Sequence, residues 1–224
     1  MKDELKNKIA AEVEAANFFD ELPAELCGFT LKKIFSAETD KFIYFTYENS
    51  SAHRSLTAYF HEETEEYKIR VKTGLNEFCL TKFFTQNFQH FGEMISSELE
   101  PTLKNFLENP IESDPLLKEM NFPAWEYAKN LPKNIAGFEL FITPENPVAF
   151  TNGDYIIINY SDFAAESDFN LTYNVYAGNF SVEIRINGVS QVSYLFDSEN
   201  LAELEKKLDE NLSAELNKMR QEIL

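Results

Sequence analysis

The chain has 224 residues, 44% of them hydrophobic with 21 Phe and 10 Tyr, which is ample material for one large packed domain or two small ones. Its formal net charge of −18 argues against nucleic acid as a partner, because that affinity rests on Lys and Arg displacing counterions, and anionic membrane surfaces are disfavoured for the same reason. A basic protein is the partner that such a field attracts.

From the N-terminus, the chain opens into an amphipathic stretch and not into an apolar signal core, and no apolar run approaches the roughly 20 residues that span a bilayer. No membrane association and cytoplasmic residence are therefore expected. A helix is predicted over Ile9–Phe19. The pair Leu22-Pro23 ends it, because proline disfavours helix in the residue before it.

The ten residues from Leu22 to Leu31 (LPAELCGFTL) recur from Leu131 to Leu140 (LPKNIAGFEL), with five positions identical. The match continues with small gaps. Tyr47 aligns with Tyr160, Leu56-Thr57 with Leu171-Thr172, and Ile69-Arg70-Val71 with Ile184-Arg185-Ile186. A period of about 110 residues is too long for a solenoid repeat. It implies two copies of one small domain, at 1–109 and 110–224.

In the first copy, Tyr67, Ile69 and Val71 alternate with Lys68, Arg70 and Lys72, the period of a half-buried antiparallel strand. A long helix follows over Phe88–Leu107, with Pro101 as a predicted kink. The second copy begins with a proline-interrupted stretch around Leu116–Ala128. Its strands are clearest at Phe169–Val175 and Phe180–Ile186, with a hairpin signal at Asn187-Gly188. The last helix is marked by Leu201, Leu204, Leu208, Leu212, Leu216, Met219 and Ile223 at spacings of three and four, and Asn200 with Glu203 forms a capping box. The expected fold is α+β: an internal duplication of an α-β5-α unit, each an antiparallel five-stranded meander covered by a long C-terminal helix, with the copies in a pseudo-two-fold relation.

The chemistry-bearing residue types are sparse. His53 falls in a loop beside Ser50 and Ser51, and His90 lies on a helix between Phe88 and Phe91. His61 opens His-Glu-Glu-Thr-Glu, which lacks the second histidine of a zinc-protease helix. Glu62, Glu63, Glu65 and Glu66 crowd a hairpin tip without the glycine turn and ligand spacing of a calcium loop, so they read as solvated charge. The seven glycines stand apart and form no phosphate cradle or nucleophile elbow. Cys27 and Cys79 sit in apolar contexts and read as free thiols. No catalytic residue, metal site or cofactor is nominated, and a non-catalytic role is favoured over an enzyme.

Two features remain. Residues 1–109 hold 12 Lys/Arg against 19 Asp/Glu, net −7, while residues 110–224 hold 8 against 19, net −11. Between Lys133 and Arg185 there is no Lys or Arg, but there are seven carboxylates: Glu139, Glu145, Asp154, Asp162, Glu166, Asp168 and Glu183. Alternation also places Ile34 and Phe141 on the outer sheet face, and Tyr44, Tyr59, Tyr155, Ile157 and Tyr176 are expected to share it. The expected function is a non-catalytic acidic protein-binding module of chaperone, immunity or inhibitor type. It would present Glu139, Asp154, Tyr155, Asp162, Glu166, Asp168 and Tyr176 to a basic partner, with carboxylates that project outward and lack internal cations. The alternative is a small-molecule binder or enzyme with a pocket between the repeats or between sheet and helix, where Glu139, Tyr155, Asn159 and Arg185 could converge.

Overall fold

The computed structural model describes residues 3–107, 111, 114–150 and 153–223. The chain is α+β, with two antiparallel sheets of six and seven strands and a C-terminal helix. It divides into two compact units, Met1–Glu108 and Asn109–Leu224. The boundary expected between 109 and 110 lies outside the described residues.

The first unit starts with α1 (Asp3–Ala15) and the one-turn α2 (Phe18–Glu21). The single helix expected over Ile9–Phe19 is thus split at Ala16-Asn17. Leu22, held extended (φ −65°, ψ 124°) ahead of Pro23, ends α2 as expected. Six strands follow: β1 (Glu25–Leu26), β2 (Phe29–Glu38), β3 (Lys41–Asn49), β4 (Arg54–His61), β5 (Glu66–Thr73) and β6 (Asn76–Cys79). Each pairs with the next. The β1–β2 turn uses positive φ at Cys27 (50°) and Gly28 (77°), the geometry of a two-residue hairpin whose twist matches its strands. Then α3 (Phe88–Leu107) runs unbroken through Pro101 and buries Phe91, Ile95, Leu99 and Leu103, one residue per turn.

A β-bulge decides which aromatics enter this core. Ile43 pairs with Tyr59 of β4 and Phe45 with Ala58, leaving Tyr44 as an extra residue in β3. One extra residue reverses the alternation. Tyr44 therefore lies in the core, stacked on Phe19 at 5.4 Å, and not on the outer face where simple alternation put it. Ile34 is exposed as expected, and Tyr59 pairs with Lys68 on the face away from the core.

The second unit opens with α4 (Pro115–Glu119), whose N-cap Asp114 accepts from the Leu116 and Leu117 amides. Two 3-10 turns, Phe122–Ala124 and Ala128–Asn130, replace the rest of the expected helix, as Pro123 requires. The strands are β7 (Asn134–Ile135), β8 (Phe138–Ile142), β9 (Val148–Ala149), β10 (Asp154–Asp162), β11 (Ser167–Asn174), β12 (Asn179–Ile186) and β13 (Val189–Ser198). The sheet order is β13-β12-β11-β10-β8-β7, with β9 also paired to β10. Finally α5 (Leu201–Ile223) buries Leu204, Leu208, Leu212, Leu216 and Met219. At its start Asn200 Oδ1 accepts from the Glu203 amide at 3.0 Å, while Glu203 reaches back to the Glu199 amide and not to that of Asn200.

The expected five strands per unit become six and seven. The additions are the two-residue strands β1, β7 and β9, too short to leave a period in the sequence.

Candidate functional site

The second unit carries an unusual polar belt on the sheet face away from α5. Register places Arg185, Asp168, Ser161 and Glu139 side by side across β12, β11, β10 and β8, and Glu183, Asn170 and Asn159 in the next row. The middle of the belt is dry: Asn159, Ser161, Asp168 and Asn170 are all buried. Asn159 Nδ2 donates to Asn170 Oδ1 at 2.8 Å and more weakly to Asp168 Oδ2 at 3.4 Å, and Ser161 Oγ donates to Asn159 Oδ1 at 2.7 Å. Arg185 sits 3.8 Å from Asp168 and 3.9 Å from Glu183. Burial pushes the Asp168 carboxyl above its ordinary 3.8, against the pull of Arg185.

At the same end of the sheet, Arg220 of α5 ties three segments together. Its Nη2 donates to Asp162 Oδ2 at 2.7 Å, its Nε donates to the Ala136 carbonyl at 2.7 Å, and its guanidinium lies 4.7 Å over the Phe138 ring. Asp162 Oδ1 accepts from the Ala164 and Ala165 amides. Burial alone would push the Asp162 carboxyl up, but these hydrogen bonds outweigh it and hold the group below 3.8. Gly137 is what lets Arg220 in, since a Cβ there would fall 2.8 Å from Nη2.

The seven residues singled out in the sequence do not make one patch. Glu139, Asp162, Glu166 and Asp168 lie at the β10–β11 hairpin end, and Asp154, Tyr155 and Tyr176 at the other. Eight residue steps along β10 separate the ends, about 26 Å. Two of the carboxylates, Asp162 and Asp168, have the internal cations they were expected to lack. The cations are Arg185, which ends the Lys/Arg-free stretch, and Arg220, far beyond it on α5, because sheet and helix packing bring distant residues together. Asp168 is also fully buried rather than outward. Tyr155 is not on the outer face: it packs against the core, with its hydroxyl donating to Asp114. Asp154 accepts from Asn174 Nδ2 at 2.8 Å. Tyr176 is 79% exposed, and Glu139 and Glu166 are exposed. Of the four groups considered for a pocket, Glu139, Asn159 and Arg185 share the belt and Tyr155 does not.

The remaining candidates are local structure. His61 bridges Asp40 and Thr64, and His90 lies 3.5 Å from Glu93. Cys27 and Cys79 are free thiols, and Tyr59 contacts Cys79 at 3.1 Å. Among the described residues no group of three His, Cys, Asp or Glu is placed to hold a metal ion, and no helix is long and apolar enough to cross a membrane.

Clefts accompany these features among the described residues. One is a groove of about 880 Å³ in the first unit, between α1 and the start of α3, with Ala11, Ala15, Phe18, Phe88, Gly92 and Ser96 in its walls. Two smaller ones, of about 200 and 280 Å³, lie beside Leu22-Pro23 and Leu131-Pro132, one in each unit. Sequence reasoning found none of them. The small residues Ala11, Ala15 and Gly92 were the available signal for the large groove, but nothing local shows that two helices will face each other. In comparisons with known proteins, no family model, curated protein or solved structure matches this chain.

Proposed function

We propose that the chain is a non-catalytic, acidic protein-binding module, built from two copies of one α+β unit, that docks a basic partner on its second unit. The duplication is supported by matched details. The Leu-Pro pair, the turn with two positive φ angles (Cys27-Gly28 and Ala136-Gly137) and the long covering helix recur in both units. Tyr47 and Tyr160 each donate to the carbonyl of the proline in their own unit, Pro23 and Pro132, at 2.7 Å.

The observation that carries the binding role is the charge left after internal pairing. Arg185, Arg220, Lys129, Lys206, Lys207 and Lys218, six of the second unit's eight cations, already lie beside its own carboxylates. The excess is therefore negative, and exposed Glu139 and Glu166 bring part of it to the β10–β11 hairpin end of the sheet. Such a field accelerates encounter with a basic surface.

The test uses a basic protein captured from native lysate and its association rate measured by stopped flow. The double reversal Glu139→Lys, Glu166→Lys should slow association about tenfold or more, as should rising salt. A rate indifferent to both leaves only solubility as the role of the charge. Asp162, Asp168 and Glu183 are unsuitable for this reversal, because Lys there would meet Arg220 or Arg185.

The groove between α1 and α3 favours a second reading, a binder of apolar small molecules, since its volume falls within the range of ligand sites. A hydrophobic dye should then bind saturably and be displaced by Ala15→Trp. Dye binding unaffected by that change discards this reading.

A further inference from the structure

The outer edge of the second sheet is β13, with no strand beyond it among the described residues. From Val189 to Phe196 it reads Val-Ser-Gln-Val-Ser-Tyr-Leu-Phe, without a charge in a chain of net −18. Of the seven large hydrophobic side chains exposed among the described residues, four lie here: Val189 at 68%, Val192 at 59%, Tyr194 at 77% and Leu195 at 50%. Edge strands are normally kept from pairing by charge, proline, shortness, a bulge or a covering segment. From Val189 to Ser193 β13 is free of charge, proline and bulge, and its pairing with β12 is interrupted only beyond Ser193.

The backbone is oriented for pairing. The β12–β13 turn is the two-residue Asn187-Gly188, with φ of 50° and 80°. In such a hairpin the flanking residues, Ile186 and Val189, form a hydrogen-bonded pair, and the pairs alternate from there. Val189, Gln191 and Ser193 therefore turn their amides toward β12, and Ser190 and Val192 turn theirs outward.

We infer that this edge pairs antiparallel with the same edge of a second copy of the chain, with the two-fold axis at Val192. In that register Val192 meets its own counterpart and the two exchange both backbone hydrogen bonds. Gln191 faces Ser193, so an apolar pair at the centre is flanked by polar pairs within the regular part of the strand. A basic partner finds no carboxylate on this strand, whereas an identical strand matches it residue for residue. A contact between two short strands is smaller than the roughly 1,200 Å² of a stable interface, so the dimer is weak and concentration-dependent. The two bodies repel, each at −18, so added salt strengthens this contact. That is the opposite of the salt effect expected for docking a basic protein, and the two proposals stand or fall separately.

Sedimentation velocity of the full chain tests it. Monomer should convert to dimer as concentration rises to about 200 µM, with a dissociation constant about tenfold lower in about 0.5 M than in about 0.05 M salt. Val192→Lys sets like charges opposite each other and should leave only monomer with an unchanged far-UV spectrum, while Tyr176→Lys, exposed but off the strand, should dimerise normally. The Val192 amide should exchange more slowly as protein concentration rises. A wild-type chain that stays monomeric in high salt, a dimer that survives Val192→Lys, or a Val192 amide whose exchange ignores concentration overturns the inference.

Discussion

The two units begin alike and end differently. Both anchor a tyrosine hydroxyl on the carbonyl of a proline, turn through two residues of positive φ into the next strand, and cover one sheet face with an apolar helix stripe. They part at the last strand. In the first unit the edge strand β6 has four residues, and the chain then returns so that Tyr67 pairs with Thr85 and occupies the rest of the β5 edge. In the second unit the edge strand β13 has ten residues, most of them exposed. The end of the helix differs too: Arg220 clamps the turn at Gly137, whereas a Cβ at Gly28 would meet only Asn49 Nδ2 at 3.7 Å. What the units share is what holds a small sheet against a helix. What they do not share, the edge, the polar belt and the groove, is where distinct functions have room to arise.

That comparison can be broken first at the helix stripes. Leu208→Ala in α5 and Ile95→Ala in α3 each remove a buried aliphatic side chain from a helix stripe, and each should cost about 2–5 kcal/mol in urea unfolding. Trp125, the only tryptophan, lies in the second unit, so its fluorescence reports that unit while far-UV circular dichroism reports both. A loss below about 1 kcal/mol at one site alone would show that the helices do not play the same part.

Next comes the clamp. Arg220→Ala leaves Asp162 and the Ala136 carbonyl without their partner and should cost about 1–3 kcal/mol, seen by Trp125 fluorescence. Asp162→Asn adds a pH signature. The folded carboxyl is held below 3.8, so its contribution is present above that value and is lost as pH falls through the folded one. The stability gap between wild type and Asp162→Asn should therefore narrow with acidification. A gap that widened would mean the pair does not depress the carboxyl.

The sharpest symmetry test is smaller. Tyr47→Phe and Tyr160→Phe each remove one hydroxyl donor to a proline carbonyl and should each cost about 0.5–1.5 kcal/mol. Costs that differ by more than about 1 kcal/mol would separate two corners that share one geometry. The smallest effect belongs to the surface: reversing Glu139 and Glu166 together should shift stability by less than about 1 kcal/mol, because exposed charges contribute little to folding.

By itself the sequence determined the α+β class, the Leu-Pro corners and the apolar helix stripes. These are local or periodic features: a proline acts on its neighbour, and burial on one helix face repeats every three or four residues. It also placed the β12–β13 hairpin, because Asn187 and Gly188 both accept the positive φ that the turn requires. Only the tertiary structure decided which way Tyr44 and Tyr155 point, since a bulge of one residue reverses a face and leaves no mark in composition. The same holds for the acidic stretch. Read along the chain it has no cation, but folding sets Arg185 beside Asp168 and Arg220 beside Asp162, because charges pair through space and not by position in the sequence.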